Sequence, residues 1–184
     1  SSLALAHLRI GEAHDRLGAR AAALAAYRSA AAAAPDDDPY KVRAKTAELI
    51  RRTPSPTIAE AYRLSLEGWR SLEENDLAEA ADALERAIVL NAADPVSRYR
   101  FGRVLEARRD EPGALAQFEL AIRNARTCPG AILATAYLEA ARLYERSGRR
   151  ADALRSYTVA TTVFGGAQET RTAATRALAR LTQP

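Results

Sequence analysis

Two stretches of the chain, 130 residues apart, have nearly the same sequence. Residues 18–27 read GARAAALAAY, and residues 148–157 read GRRADALRSY. The similarity extends over residues 6–30 and 136–160, where 10 of 25 positions are identical. Self-similarity at a fixed period is typical of repeat proteins, in which each unit buries its apolar face against a neighbour. The chain is therefore expected to be built from repeated units.

A shorter period of 34 residues lies between the two copies. It relates Gly68 to Gly102, and it also relates three further pairs, which are Ala80 and Ala114, Leu84 and Phe118, and Ala87 and Ala121. This spacing predicts two helices joined by a short turn. The small residue is expected where the two helices cross closely. The large residue of the second helix is expected to fill the space toward the next hairpin.

These units resemble the tetratricopeptide repeat (TPR). The family pattern is Trp-x2-Leu-Gly-x2-Tyr in the first helix, then Ala-x3-Phe and a closing Pro in the second. The matched positions of the first two units are His7, Ile10, Gly11, His14, Ala23, Tyr27, Ala30 and Pro35, then Leu64, Glu67, Gly68, Ser71, Ala80, Leu84 and Ala87. Those of the last two are Arg98, Phe101, Gly102, Leu105, Ala114, Phe118 and Ala121, then Tyr137, Ala140, Ala141, Tyr144, Ala153, Tyr157 and Ala160. Glu67, Ser71 and Arg98 depart from the pattern. The resemblance implies an all-α, right-handed superhelix of four helix-turn-helix repeats.

Composition agrees with an all-α fold. Of the 184 residues, 48% are hydrophobic, many of them alanine, and only 6% are aromatic. Alanine, leucine, arginine and glutamate favour helices, whereas strands are rich in valine, isoleucine and aromatic residues. The chain has no methionine, so we expect it to be part of a longer protein. Any targeting segment would then lie elsewhere, and the compartment, cytoplasmic or periplasmic, is left open.

Two stretches fall outside the repeat period, and each predicts a lone helix, over residues 39–52 and 169–181. A hairpin followed by one covering helix closes a repeat array. We expect residues 1–52 to hold the first hairpin and a lone helix, 53–56 a proline-rich joint, and 57–184 three hairpins with a capping helix, in one continuous array. The twofold ending also suggests a larger module of three hairpins and a cap, and the alternative is that the first lone helix is an insertion.

The sequence predicts no catalytic residue, no cofactor and no metal site. His7 and His14 are seven residues apart, whereas helical zinc sites use a spacing of four. Cys128 has no histidine near it in sequence, and 165–166, a Gly-Gly pair, lacks the Lys-Ser or Lys-Thr of a phosphate-binding loop. Residues 36–38, three aspartates, lack the glycine and distant glutamate of a calcium loop, and helix capping explains them.

The net charge of +4 does not predict a nucleic-acid partner. Lys41 and Lys45 are the only lysines among 27 basic residues, and arginine usage of this kind is typical of a GC-rich bacterial genome. Acidic residues lie among the arginines throughout, whereas nucleic-acid-binding proteins collect positive charge on one face. We interpret the charges as solvated helix faces.

The family resemblance implies a protein or peptide partner. In this family the first helices line a concave groove that holds an extended or helical segment of another protein. The candidate groove residues are Tyr62, Trp69, Tyr99, Arg103, Glu106 and Arg142. Trp69, the only tryptophan, together with Tyr99 and Arg103 has the composition of a binding hot spot. Alternatively, Trp69 packs on the lone helix over 39–52.

The expected function is therefore a non-catalytic scaffold. The alternative is an accessory or assembly region of a larger enzyme or cell-envelope machine. The two-carboxylate clamp of some family members resembles a grip by lysine and asparagine, and neither stands at a groove position here, so this ligand class is not expected. The sequence predicts no membrane-inserted segment and leaves the oligomeric state open.

Overall fold

The structure, a computed structural model, describes residues 2–52 and 55–183, and all regular secondary structure in these residues is helical. The predicted all-α class is confirmed. The ten helices are α1 (Ser2–Arg16), α2 (Arg20–Ala32), α3 (Val42–Arg51), α4 (Pro56–Glu73), α5 (Leu77–Leu90), α6 (Pro95–Ala107), α7 (Glu111–Arg123), α8 (Gly130–Arg146), α9 (Arg150–Thr162) and α10 (Gln168–Thr182).

The contacts divide the chain into two compact units, residues 1–63 and 64–184, with the division inside α4. In the first unit α1 and α2 form a hairpin, and α3 packs on both. In the second unit the hairpins are α6–α7 and α8–α9, and α10 packs on α9 and more sparsely on α8. Gly68 on α4 lies against Leu84 on α5. Residues 53 and 54 of the expected joint lie outside the described residues, and the expected domain boundaries stay a prediction.

The first lone helix begins at Val42 rather than at the predicted Pro39. Asp38 and Lys41 have left-handed backbone conformations, with φ of 32° and 51°, which interrupt a helix. The Asp38 carboxylate accepts the backbone N–H groups of Val42 and Arg43 at 2.8 and 2.9 Å. The aspartate therefore caps a helix that starts later than the proline suggested.

Glycine lies at the close crossing of three hairpins, as predicted. A Cβ on Gly68 would lie 2.6 Å from Leu84 Cγ, and one on Gly102 would lie 2.6 Å from Phe118 Cε1. A Cβ on Gly11 would overlap the ring of Tyr27. The expectation that the large residue faces the next hairpin is incomplete, because each packs first on the glycine of its own hairpin. Phe118 does both, since its core cluster includes Ala136, Ala140 and Leu143 of α8.

The four hairpin turns share one hydrogen-bond pattern. The residue in the left-handed conformation is Gly18, Asn75, Arg109 or Gly148. At each turn its N–H donates to the carbonyl three residues earlier, and the next N–H donates to the carbonyl five residues earlier. This is the Schellman motif that ends many helices. Asp76 and Asp110 then cap the following helices through Glu79 N and Gly113 N, as predicted.

The repeated ten residues hold the lone helices on their hairpins. In the first copy, Arg20 donates to the carbonyl oxygens of Leu49, Ile50 and Arg52 at 3.1, 2.7 and 2.9 Å, at the end of α3. In the second copy, Arg150 donates to the carbonyl of Leu181, at the end of α10. The arginine at the third position therefore secures the C-terminal end of the helix that follows the hairpin.

A buried acid on the first helix completes each of these assemblies. The Tyr27 hydroxyl donates to Asp15 Oδ2 at 2.9 Å, and the Tyr157 hydroxyl donates to Glu145 Oε2 at 3.0 Å. Arg180 on α10 pairs with Glu145 at 2.8 Å. The last position of the repeated stretch thus supplies a tyrosine whose ring is buried and whose hydroxyl is satisfied.

The turn geometry predicts opposite effects of substitutions at two equivalent positions. A Cβ on Gly148 would meet nothing within 4 Å, so Gly148→Ala should lower the free energy of unfolding by about 1 kcal/mol through backbone strain alone. Arg109, an exposed residue with φ of 65°, already carries that strain. Arg109→Gly should therefore raise stability by up to about 1 kcal/mol. Urea unfolding measures both, and changes of the same sign would contradict the shared turn.

Candidate functional site

The first helices of three successive hairpins line a groove of about 840 Å³ in the second unit. Helix α4 contributes Trp69, Leu72 and Glu73, α6 contributes Arg103, Glu106 and Ala107, and α8 contributes Glu139, Arg142 and Arg146. We refer to this set as the Trp69 groove. Four of the six candidate residues from the sequence, Trp69, Arg103, Glu106 and Arg142, lie in its lining.

Trp69 forms the aromatic wall of this groove. Its ring stacks on that of Tyr99, with centroids 6.5 Å apart and an interplanar angle of 30°. The Arg100 guanidinium lies 5.8 Å from the centre of the indole. Tyr99 in turn contacts Phe118, with ring centroids 5.9 Å apart. The indole is half-buried and supported from behind by the core.

Two candidate residues do not line the groove. Tyr99 is 5% exposed and lies beneath Trp69, where burial raises the pKa of its phenol. Its hydroxyl accepts a hydrogen bond from Arg103 Nη1 at 3.3 Å, so it orients that arginine. Tyr62 is half-buried on α4, in the part of the helix that belongs to the first unit. In the described chain, Trp69 is therefore the aromatic residue at the groove surface.

Charged side chains in the groove are arranged as pairs. Arg142 Nη1 donates to both carboxylate oxygens of Glu139 at 2.9 Å. Arg146 contacts Glu106 at 3.2 Å and Glu111 at 2.9 Å. These pairs fix the positions of the guanidinium groups, and each guanidinium has five N–H donors. The groove therefore presents oriented donors beside an aromatic face.

Arg103 retains an unused donor. Its Nε is buried and has no hydrogen-bond partner in the part of the chain that the structure describes. Glu106 Oε2 lies 3.6 Å away, which is close enough for an ion pair but too long for a hydrogen bond. A buried N–H without an acceptor is costly. An acceptor supplied by a ligand at this point would satisfy it.

Sequence reasoning missed Glu139 and Arg146. They lie three residues before and four residues after Arg142, and therefore on the same face of α8. Helical spacing from one candidate residue would have found both. Their roles depend on contacts to α6 and α7, which are separated from them by more than twenty residues in sequence.

The residues considered for chemistry lie apart from this groove. His7 and His14 are half-buried on α1. The described residues contain no group of three or more His, Cys, Asp or Glu side chains that could hold a metal ion. Desolvation, with a smaller contribution from Asp94, raises the pKa of the Cys128 thiol to about 11. A thiol in this state is a poor nucleophile at neutral pH. None of the helices in the described residues is both long and apolar enough to cross a membrane.

Comparison with known proteins gives one structural similarity. No protein-family model matches the chain, and no curated protein matches it. Among solved structures, it is similar to the crystal structure of MamA protein, with a TM-score of 0.48 and 22% sequence identity. The match covers 86% of this chain and 90% of that one. Structural similarity at this level does not indicate a function.

The raised pKa of Cys128 predicts slow alkylation. With a pKa of about 11, its reaction with iodoacetamide at pH 7 should be about a hundredfold slower than in the urea-unfolded chain, because only the thiolate reacts. The rate should keep rising about tenfold per pH unit up to pH 10. Mass spectrometry of the alkylated protein measures the rate. A rate that levels off near pH 9 would mean that the thiol has an ordinary pKa.

Proposed function

We propose that this chain is a non-catalytic protein-interaction scaffold of the TPR class, which binds an extended or helical segment of a partner protein in the Trp69 groove. The observation that carries the proposal is the position of Trp69 and Arg103 together in a concavity lined by first helices. The four hairpins are proposed to belong to a right-handed superhelix of bacterial origin.

The hairpin geometry supports the TPR part of this proposal. Glycine against a large buried side chain recurs in three hairpins, and the same turn recurs in all four. The residues involved are those that match the family pattern in sequence. First helices that line a groove agree with the way in which the family resemblance implies that partners bind.

The side chains of the groove support a peptide as the partner. Interface hot spots are rich in tryptophan, tyrosine and arginine, and they lose little entropy when their side chains are already fixed. Trp69 is supported by Tyr99, and the arginines are held by carboxylates. A peptide would cover the indole with an apolar side chain, and its backbone carbonyls would accept hydrogen bonds from guanidinium groups such as that of Arg103.

The charges of the groove favour a protein over a nucleic acid. Its three arginines, Arg103, Arg142 and Arg146, are matched by three glutamates, Glu73, Glu106 and Glu139. A surface that binds a phosphate backbone has a clear excess of positive charge. Binding in this groove should therefore depend weakly on salt concentration.

The proposal predicts that Trp69 dominates the affinity for a selected peptide. Peptides are selected from a random display library on the wild-type protein, and their affinities are measured by fluorescence anisotropy. Trp69→Ala should weaken binding by at least about tenfold, the effect of a hot-spot residue. Arg103→Gln should weaken it by a smaller factor.

The matched control is Arg126→Ala, which removes an exposed arginine outside the groove lining and should leave the affinity unchanged. Circular dichroism establishes that each variant is folded. Peptides that bind wild type and Trp69→Ala equally well would show that the groove is not the binding site.

A further inference from the structure

A second concavity, of about 630 Å³, lies between α8 and α10. Its apolar lining residues are Leu138, Tyr157, Ala173 and Ala177, and four arginines surround them, Arg142, Arg146, Arg176 and Arg180. Glu145 is the only carboxylate in this lining. We call this site the arginine trough.

The trough is open because of small residues on α10. Ala173 and Ala177 lie four residues apart and therefore on one face of the helix. Helix α10 packs mainly on α9 and only sparsely on α8. Short side chains on α10 opposite Leu138 and Arg142 leave the space between the two helices unfilled.

The first unit contains the same three-helix arrangement with this space bridged. Val42 and Thr46 of α3 are buried like Thr170 and Ala174 of α10, which sets a correspondence of 128 residues between the two lone helices. Lys45 therefore stands where α10 has Ala173. Its Nζ lies 3.0 Å from Glu12 Oε1 and bridges α1 and α3.

The Glu12 bridge is electrostatically strong. Burial alone would raise the pKa of Glu12, but hydrogen bonds and charges from Arg9 and Lys45 outweigh it and lower the pKa below the ordinary value. The corresponding residue on α8 is Arg142, so the sign of the charge is reversed. Likewise Leu49 corresponds to Ala177 and Glu48 corresponds to Arg176. The same frame is bridged in one unit, and in the other it is open and basic.

The arginines of the trough keep unused donors. Glu145 already accepts from Arg180 at 2.9 Å and from the Tyr157 hydroxyl at 3.0 Å. The acids that pair with Arg142 and Arg146, which are Glu139, Glu106 and Glu111, do not line the trough. Arg176 is exposed and forms no ion pair within the described residues. An anionic group in the trough would therefore face an excess of guanidinium groups.

We propose that the arginine trough binds an acidic peptide segment that also carries aliphatic side chains. Carboxylates match the guanidinium groups on the walls, and aliphatic side chains match the floor formed by Leu138, Tyr157 and the two alanines. A phosphate chain or a small anion would satisfy the walls but leave this apolar floor uncovered. The proposal does not require that the Trp69 groove binds anything.

The test uses a fluorescein-labelled peptide of repeating Glu-Glu-Leu and a second one of repeating Gln-Gln-Leu. The glutamate peptide should bind at low salt, and the glutamine peptide should bind about tenfold more weakly or worse. Arg176→Glu should weaken binding of the glutamate peptide by about tenfold. Ala177→Leu, which introduces the residue of the bridged unit, should weaken it by a similar factor without changing any charge.

Arg126→Glu is the matched control, because it makes the same charge change at an exposed position outside the trough; the affinity should stay within about twofold. Trp69→Ala should also leave it unchanged, which separates this test from that of the proposed function. Equal losses for Arg126→Glu and Arg176→Glu, or full binding by Ala177→Leu, would overturn the proposal. So would a single-stranded DNA oligonucleotide that displaces the peptide at the same concentration of charge, since the trough would then bind any polyanion.

Discussion

The close approach of a small residue on one helix to a large buried residue on the next is the contact on which the rest of this structure depends. Where glycine stands at the crossing, a ring or a branched side chain lies directly on the backbone, as Phe118 does at Gly102. The helices of the hairpin can then approach closely, and the large side chain is removed from water. This spacing determines where the turns lie and which faces remain for a neighbouring helix. It also positions the first helices, whose outward faces form the Trp69 groove.

The repeated stretch of ten residues describes a hairpin that must hold a third helix. Its glycine forms the turn, its arginine binds the end of the lone helix, and its tyrosine donates to a buried acid of the first helix. These functions explain why the same residues recur 130 positions apart. The residues that differ between the two units are those at the gap between the first and third helices. A shared framework thus supports two different surfaces, one bridged by Lys45 and Glu12 and one lined by arginine.

Much of the fold follows from periodicity, and less of the site does. The hairpins, their glycines and the turns were predictable because each depends on residues close in sequence or at a fixed spacing. The side of a helix is harder to predict at the resolution of one turn. Tyr99 lies one turn before Arg103, and it packs under Trp69 instead of beside it. The start of α3 depends on the left-handed conformation of Lys41, which no sequence pattern indicates.

The arginine trough was hidden from sequence comparison for a physical reason. The loops that lead to the two lone helices differ by two residues, so the correspondence changes from 130 to 128 within the repeat. Only burial of Val42 and Thr46 against Thr170 and Ala174 reveals it. Once it is recognised, the replacement of Lys45 by alanine and of Glu12 by arginine identifies the open site. Function here depends on long-range register that the local pattern does not contain.

A double-mutant cycle between Gly102 and Phe118 tests the central contact most directly. A methyl group at position 102 would lie 2.6 to 3.1 Å from three atoms of the Phe118 ring and should force it aside. Gly102→Ala and Phe118→Leu should each destabilise the protein, and the double variant should be more stable than their sum predicts by about 1 kcal/mol or more. Equilibrium unfolding in urea measures all four proteins. Additive losses would show that the ring and the glycine do not constrain each other, which would contradict this account of the fold.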